Sequence, residues 1–229
     1  MKRVLITGAG GFVGSRVLQQ WQGKYELCAF PKGFLCTATE TEVLAQTRAR
    51  DPDVILHTAA LSDTGYCAQH PAEAYRANVE LPVWLARAAQ QTKAKLVAFS
   101  SDQVYAGTKQ QGPLSEALNL HPTNIYGQYK LEAEQRVLEL CPDSVHLRAS
   151  WMYDLPGGVY NFGSGNAEDM VCTARRFAKA LGITVKIAEE SWERNLVMDA
   201  AKLERSGIRF AATQQGIRCC LQDYGLSDL

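Results

Sequence analysis

The first fourteen residues, MKRVLITGAGGFVG, constrain the fold of this chain more than any stretch that follows. Val4, Leu5 and Ile6 form a short apolar, β-branched run of the kind that becomes a strand buried on both faces. Thr7 and Gly8 end it, and glycines stand at positions 8, 10, 11 and 14. Residues 15–22 then carry a helix-compatible pattern with Val17 and Leu18 on one side. Gly8 permits a tight turn, Gly11 lets backbone amides reach a pyrophosphate, and Gly14 lets the helix pack closely on the strand. The exposed N–H groups and the positive dipole end of that helix then form an anion site. The spacing Gly8-x-x-Gly11-x-x-Gly14 is one residue wider at its start than the commoner dinucleotide fingerprint. Its place directly after an N-terminal strand points to dinucleotide binding.

The rest of the N-terminal part alternates strands with helices. Residues 26–30, 53–57, 95–100 and 145–148 read as further strands, and residues 41–50, 71–91 and 126–140 as helices. This alternation predicts an α/β fold, a Rossmann-type doubly wound parallel sheet. In the helix over 126–140, Ala133, Val137 and Leu140 are expected inward with the charges outward. Asn78, a polar residue among apolar neighbours, is read either as a core amide bonded to backbone or as a brace for the active site. After the second strand, where a carboxylate would bind the adenosine ribose, the chain has Phe30, Pro31 and Lys32. Lys32 is then either a solvated loop lysine or a ligand for a 2′-phosphate, which favours NADP over NAD. The third strand runs into Thr58, Ala59 and Ala60, small residues at a carboxyl edge that a cofactor can approach closely.

Composition enters chiefly through what it excludes. With 24 basic and 24 acidic side chains among 229 residues, there is no electrostatic case for nucleic acid or a membrane surface. No apolar run reaches membrane-spanning length, and no signal peptide is read. The seven cysteines include no C-x-x-C pair, and the adjacent Cys219 and Cys220 suit neither a metal site nor a disulfide framework. Reduced, buried thiols in a cytoplasmic protein are the expectation, with no metal.

Two stretches carry chemistry. Ser100, Ser101 and Asp102 end the fourth strand on the edge where a nucleotide should lie. Tyr126 and Lys130 are four residues apart at the start of the following helix, so they share a face about 6 Å apart along its axis. A lysine there lowers the pKa of a phenol, ordinarily about 10, and a phenol so tuned exchanges a proton with a carbonyl or alkoxide oxygen. Ser101 can hydrogen-bond the same oxygen, Lys130 can also hold ribose hydroxyls, and a nicotinamide would supply hydride.

Thr7-Gly8-x-x-Gly11-x-x-Gly14, Ala59-Ala60, Ser100-Ser101-Asp102-x-Val104-Tyr105 and Asn124-x-Tyr126-Gly127-x-x-Lys130 together resemble the extended short-chain dehydrogenase/reductases of the NAD-dependent epimerase/dehydratase superfamily. Arg148-x-Ser150-Trp151-x-Tyr153 is similar to the dTDP-4-dehydrorhamnose reductase-like branch. The resemblance implies reduction of a 4-keto sugar nucleotide by NADPH or NADH. It makes Tyr126 the acid, Lys130 its tuner and ribose ligand, and Ser101 the hydrogen-bond donor to the carbonyl. Gly8, Gly11, Phe12, Val13, Gly14, Lys32, Ala59, Ala60, Ser100, Tyr126 and Lys130 border the cofactor, and Asp102, Gln103, Trp151 and Arg194 the substrate. Gln103 stands where this branch often has tyrosine, and Cys36 near where many relatives carry an aspartate beside the adenine. Arg194 reads equally as a diphosphate ligand or a surface arginine. A sugar-nucleotide epimerase or dehydratase, and a non-catalytic dinucleotide-binding regulatory subunit, are the alternatives.

The same comparison divides the chain into a dinucleotide-binding domain over 1–155 and a C-terminal substrate lobe over 156–229. Between about Leu155 and Gly158 the family's usual further helices and strand are missing. Either the chain is a short variant or residues are omitted there. A true deletion would expose a sheet edge for a partner such as a second copy to cover. Helices are expected over 167–181, 200–206 and 213–221, a short strand over 184–188, and a substrate-lobe segment over 194–199.

Overall fold

The computed structural model describes residues 1–150, 152–155, 158–161, 170–184, 186, 197, 199, 201–205, 207, 211–212 and 215–219. The chain forms two compact units: Met1–Thr108 with Leu120–Arg148, and Lys109–Asn119 with Ala149–Leu229. A five-stranded sheet of β1 (Arg3–Thr7), β2 (Glu26–Ala29), β3 (Val54–His57), β4 (Lys95–Ser101) and β5 (Val145–Ala149) has the order β2-β1-β3-β4-β5. Strand β1 runs parallel to both neighbours, with Leu5 opposite Cys28 on one side and Ile55 on the other, and β4 runs parallel to β3. The chain leaves β1 toward β2 and then returns past it to β3, so the topological switch lies between β1 and β3. Ligands bind at the carboxyl ends of such a switch.

Successive strand side chains point to opposite faces, and each face of β1 is covered. Val4, Ile6 and Leu56 meet Val17, Leu18 and Trp21 of α1 (Phe12–Trp21). Leu5, Ile55 and Leu96 meet Val43 of the third helix, Leu85 of the sixth and Val137 of the seventh. Between these lie the short α2 (Phe34–Thr37), then α3 (Glu40–Arg50), α4 (Thr64–Gln69), α5 (Pro71–Tyr75), α6 (Leu81–Thr92) and α7 (Ile125–Leu140). This is the doubly wound, Rossmann-type sheet the alternation predicts. Helix α3 starts on a full capping box, Thr39 accepting from the Glu42 amide while the Glu42 carboxylate accepts from the Thr39 amide.

Three expectations are corrected. The single helix over 71–91 is interrupted by a π turn at Arg76–Glu80. Pro82 explains the position: it has no N–H for the carbonyl four residues back and would crowd it. The wider turn, in which the Leu81 amide reaches the Arg76 carbonyl, relieves the crowding. On α7 two charged side chains, Lys130 and Glu134, join Ala133 and Val137 on the buried face. The cysteines are not uniformly buried: Cys67 is, Cys28 and Cys141 are half-buried, and Cys36, Cys172 and Cys219 are exposed. Those six are free thiols.

In the second unit, β6 (Met152–Leu155) and β7 (Gly158–Asn161) pair antiparallel, with Leu155 opposite Gly158. Residues 156 and 157, where the family's missing stretch would begin, lie outside the described residues. Helix α8 (Met170–Ala180) ends as expected at Gly182, whose φ of +64° lets the chain turn back on the helix end. Helix α9 (Ala201–Arg205) is followed by Gly207 at φ +78°. Leu114 bonds through its amide to Val197 and through its carbonyl to Asp199. Residues 215–219 are helical, within the expected 213–221. Most of the expected strand over 184–188, and Trp151 and Arg194, lie outside the described residues. Among the described residues, no helix is long and apolar enough to cross a membrane, and no cluster of side chains suits a metal ion.

Candidate active site

At the carboxyl end of β1 the chain turns through Gly8 at φ +71°, where a side chain would be strained. It would also collide, because a Cβ on Gly8 would lie 2.7 Å from the Ala59 amide nitrogen. A Cβ on Gly14 would lie 2.2 Å from the Gly8 carbonyl oxygen, and one on Gly11 3.1 Å from the same atom. The Gly11 amide donates to that carbonyl at 2.8 Å, which closes the turn. Gly10, by contrast, has nothing within 4 Å of the corresponding position. Helix α1 starts without a side-chain cap and without an acidic residue in its first turn. Its opening amides at Phe12, Val13 and Gly14 are therefore presented to an anion, with Ala59 as the opposite wall of the crevice. The turn fits a dinucleotide diphosphate. Ala60 and Lys32 are exposed, Lys32 on the turn after β2 beside Gly33. Cys36 is exposed in α2.

Two strands along, β4 ends in Ser100 and Ser101, both buried, as are Asp102, Tyr126 and Lys130. Ser101 accepts from the Gln103 amide at 3.2 Å and donates to Asp102 at 3.2 Å. Burial pushes the Tyr126 phenol up to about 12, and a hydrogen bond with Ser101 opposes the rise. The expectation of a phenol lowered by Lys130 is corrected here. The Lys130 ammonium instead donates to the Phe99 carbonyl at 2.6 Å. Burial lowers its own pKa to about 8, with Glu134 one turn further along the helix pulling it back up. The structure thus brings Ser101 and Tyr126 together and buries Lys130 against the end of β4. Near neutral pH the phenol keeps its proton and the lysine keeps most of its charge.

Further contacts hold this ridge. Asn124 caps α7 by accepting from the Gly127 amide at 2.8 Å and donates to the Gln103 side chain at 2.9 Å. A Cβ on Gly127 would lie 2.3 Å from the Gln103 carbonyl oxygen, so α7 is seated directly on that backbone. Glu134 receives Arg148 through both carboxylate oxygens, the shortest contact being 2.6 Å, and Arg148 also donates to the Tyr105 hydroxyl at 2.8 Å. Asn78, in the π turn, accepts from the Leu61 amide at 3.2 Å and donates to the Leu61 carbonyl at 2.9 Å. It is a buried amide bonded to backbone, and the backbone it holds is the loop leaving Ala60. His57 is the buried group that the sequence reading left without a role; its signal was an imidazole at the carboxyl end of an apolar strand. Its Nδ1 lies 2.7 Å from the Thr7 hydroxyl, and burial pushes its pKa down to about 3, with Lys130 and His146 adding to the shift.

A glycine-turn crevice beside a buried Ser–Tyr–Lys ridge, on a doubly wound parallel sheet, defines an α/β protein of the Rossmann type. Residues 1–174 match the family described as the RmlD substrate binding domain, and the chain belongs to that family. It is 30% identical over 189 residues to a dTDP-4-dehydrorhamnose reductase of Mycolicibacterium smegmatis, covering 82% of this chain and 55% of that one. The chain spans little more than half the length of that relative. A Xenopus laevis protein named methionine adenosyltransferase 2 subunit beta is 32% identical over 160 residues, covering 66% of this chain and 47% of that one. Among solved structures, a dTDP-4-dehydrorhamnose reductase from Bacillus anthracis in complex with NADP superposes with a TM-score of 0.82. That match has 22% identity and covers 97% of this chain and 98% of that one, which establishes the shared fold.

Proposed function

We propose that this chain is an NAD(P)H-dependent reductase of the extended short-chain dehydrogenase/reductase type. Its substrate would be a nucleotide-activated 4-keto sugar, with NADPH favoured over NADH. The observation that carries the reading is the buried Tyr126, close enough to the buried Ser101 for the two to interact, with Lys130 one turn along the same helix. The relatives named dTDP-4-dehydrorhamnose reductase support the substrate class. Bound dinucleotide supplies the hydride. The amides around Gly8, Gly11, Phe12, Val13 and Gly14 hold the diphosphate, with Ala59, Ala60 and Ser100 along the edge and Lys32 toward a 2′-phosphate. Tyr126 gives its proton to the substrate oxygen while Ser101 donates a hydrogen bond to the same atom. The Lys130 charge then offsets the phenolate left behind. Asp102, Gln103, Trp151 and Arg194 are assigned to the substrate side.

The test is oxidation of NADPH and NADH by the purified chain with a panel of nucleotide 4-keto sugars. Steady consumption with one of them supports the reading; an epimerase or dehydratase would transform its substrate without net consumption. The Xenopus laevis relative gives the second reading, a dinucleotide-binding subunit without turnover. A chain of that second kind would bind NADP and leave every sugar in the panel unchanged.

A further inference from the structure

Behind the Ser101–Tyr126 pair lies a small cavity of about 10 Å³, lined by His57, Pro82, Ala98, Phe99, Ser100, Lys130, Ala133 and His146. Its wall is mostly apolar, with a few buried polar groups set into it. His57, Ser100 and Lys130 are each more than nine-tenths buried. Yet the His57 Nε2 and the Ser100 hydroxyl have no hydrogen-bond partner among the described residues. Leaving such groups unpaired is costly, because each has given up water on folding and gained no bond in return. The Phe99 carbonyl accepts one of the three Lys130 N–H groups, which leaves two directions for the ammonium to donate. Room of this size, together with several polar partners, is what a single buried water requires.

We propose that this chamber is an internal hydration site. In it one water accepts from the Lys130 ammonium and bridges it to the His57 imidazole and the Ser100 hydroxyl. His57 is thereby a positioning residue for Lys130. The assignment does not depend on the tautomer of His57. If Nδ1–H donates to Thr7, the water donates to Nε2; if the Thr7 hydroxyl donates, the water accepts from Nε2. A cation would meet the lysine charge, and the space of about 10 Å³ is no larger than one water needs. The charged and titratable groups facing Lys130 are Glu134 on its own helix, His57 from β3 and His146 from β5. Arg148, held by Glu134, is the next charge out. Among the uncharged contacts around Lys130, the water adds an acceptor to the Phe99 carbonyl, which holds the ammonium cationic and in place. The catalytic consequence rests on the reading of Tyr126 and Lys130 given above, whereas the site itself does not.

The experiment follows Lys130 by NMR in the full chain labelled with ¹³C at lysine Cε, its resonance assigned from Lys130→Arg, with no dinucleotide or sugar added. His57→Leu removes the water's partner and should lower the Lys130 titration midpoint by about one pH unit. His57→Gln, which keeps a polar atom there, should restore most of the shift. A folded His57→Leu protein with an unmoved midpoint overturns the proposal. If His57→Leu does not fold, Ser100→Ala takes its place, with the same downward shift expected and the same unmoved midpoint as the disproof. Because no turnover is measured, failure of the reductase reading leaves this outcome unaffected.

Discussion

At the carboxyl end of β1 the working groups are backbone amides, and the side chains are conspicuous by their removal: Gly8 and Gly14 leave no room for a Cβ, and Gly11 only a tight fit. At the carboxyl end of β4 the working groups are side chains, and most of them are buried: Ser101, Asp102, Tyr126 and Lys130, with His57 behind. The first site presents fixed dipoles to an anion and needs no titration. The second depends on which of several desolvated groups holds a proton, and burial sets that more strongly than any one neighbour: Tyr126 goes up, Lys130 and His57 go down. A backbone-built site should therefore fail through shape, and a side-chain-built site through chemistry and pH.

The largest separation of the two comes from Tyr126→Phe. Loss of a positioned proton donor should reduce turnover roughly 10²–10⁴-fold. NADPH affinity by fluorescence titration should stay within about twofold, since the diphosphate is held elsewhere. Equal losses in both would merge the two regions into one.

Acid should act on the buried side chains next. His57 is neutral in the fold, its pKa pushed from 6.5 down to about 3. The unfolded chain takes up a proton below 6.5 that the folded chain refuses, so this stability is present above 6.5 and is lost as the pH falls toward 3. The full loss is on the order of 5 kcal/mol. The difference in unfolding free energy between the native protein and His57→Gln, followed from pH 7 downward, should grow less favourable to the native chain by this slope. A constant difference would show that the imidazole titrates normally.

Within the turn itself, Gly14→Ala should destabilise by about 1–3 kcal/mol through the clash with the Gly8 carbonyl, and weaken NADPH binding with it. Gly10→Ala, with open space around it, should do neither, as thermal melts and the same titration would report. The smallest effect belongs to the seat of α7. Asn124→Ala removes its cap and releases the Gln103 amide, for about 1 kcal/mol by denaturant unfolding, with turnover falling more than affinity.

The same contrast decides what could be read before any fold was known. The glycine turn is legible because the constraint is local: a strand, a positive φ and a helix start sit within fourteen residues. The Tyr126–Lys130 spacing is legible for the same reason, four residues on one helix face. What Lys130 touches is not. Its partner carbonyl at Phe99 belongs to strand β4, and the inward turn of Glu134 answers Arg148 on β5. The composition pattern placed both charges outside because periodicity reads polarity and has no way to see a partner. Gln103 was singled out as a departure on the substrate side, but its tie to Asn124 depends on how the β4 end meets α7.

The π turn at Arg76–Glu80 has a consequence for how the chain tolerates change in length. Each added residue rotates whatever follows on a helix by about 100°. The apolar stripe of α6 faces Leu5 and Ile55, while Asn78 inside the widened turn grips the loop beyond Ala60. Removing a single residue there would let the rod run straight, yet either the stripe would swing away from the sheet or the amide would swing away from Leu61. The irregular turn thus fixes the phase between a core-facing segment and the rim of the crevice.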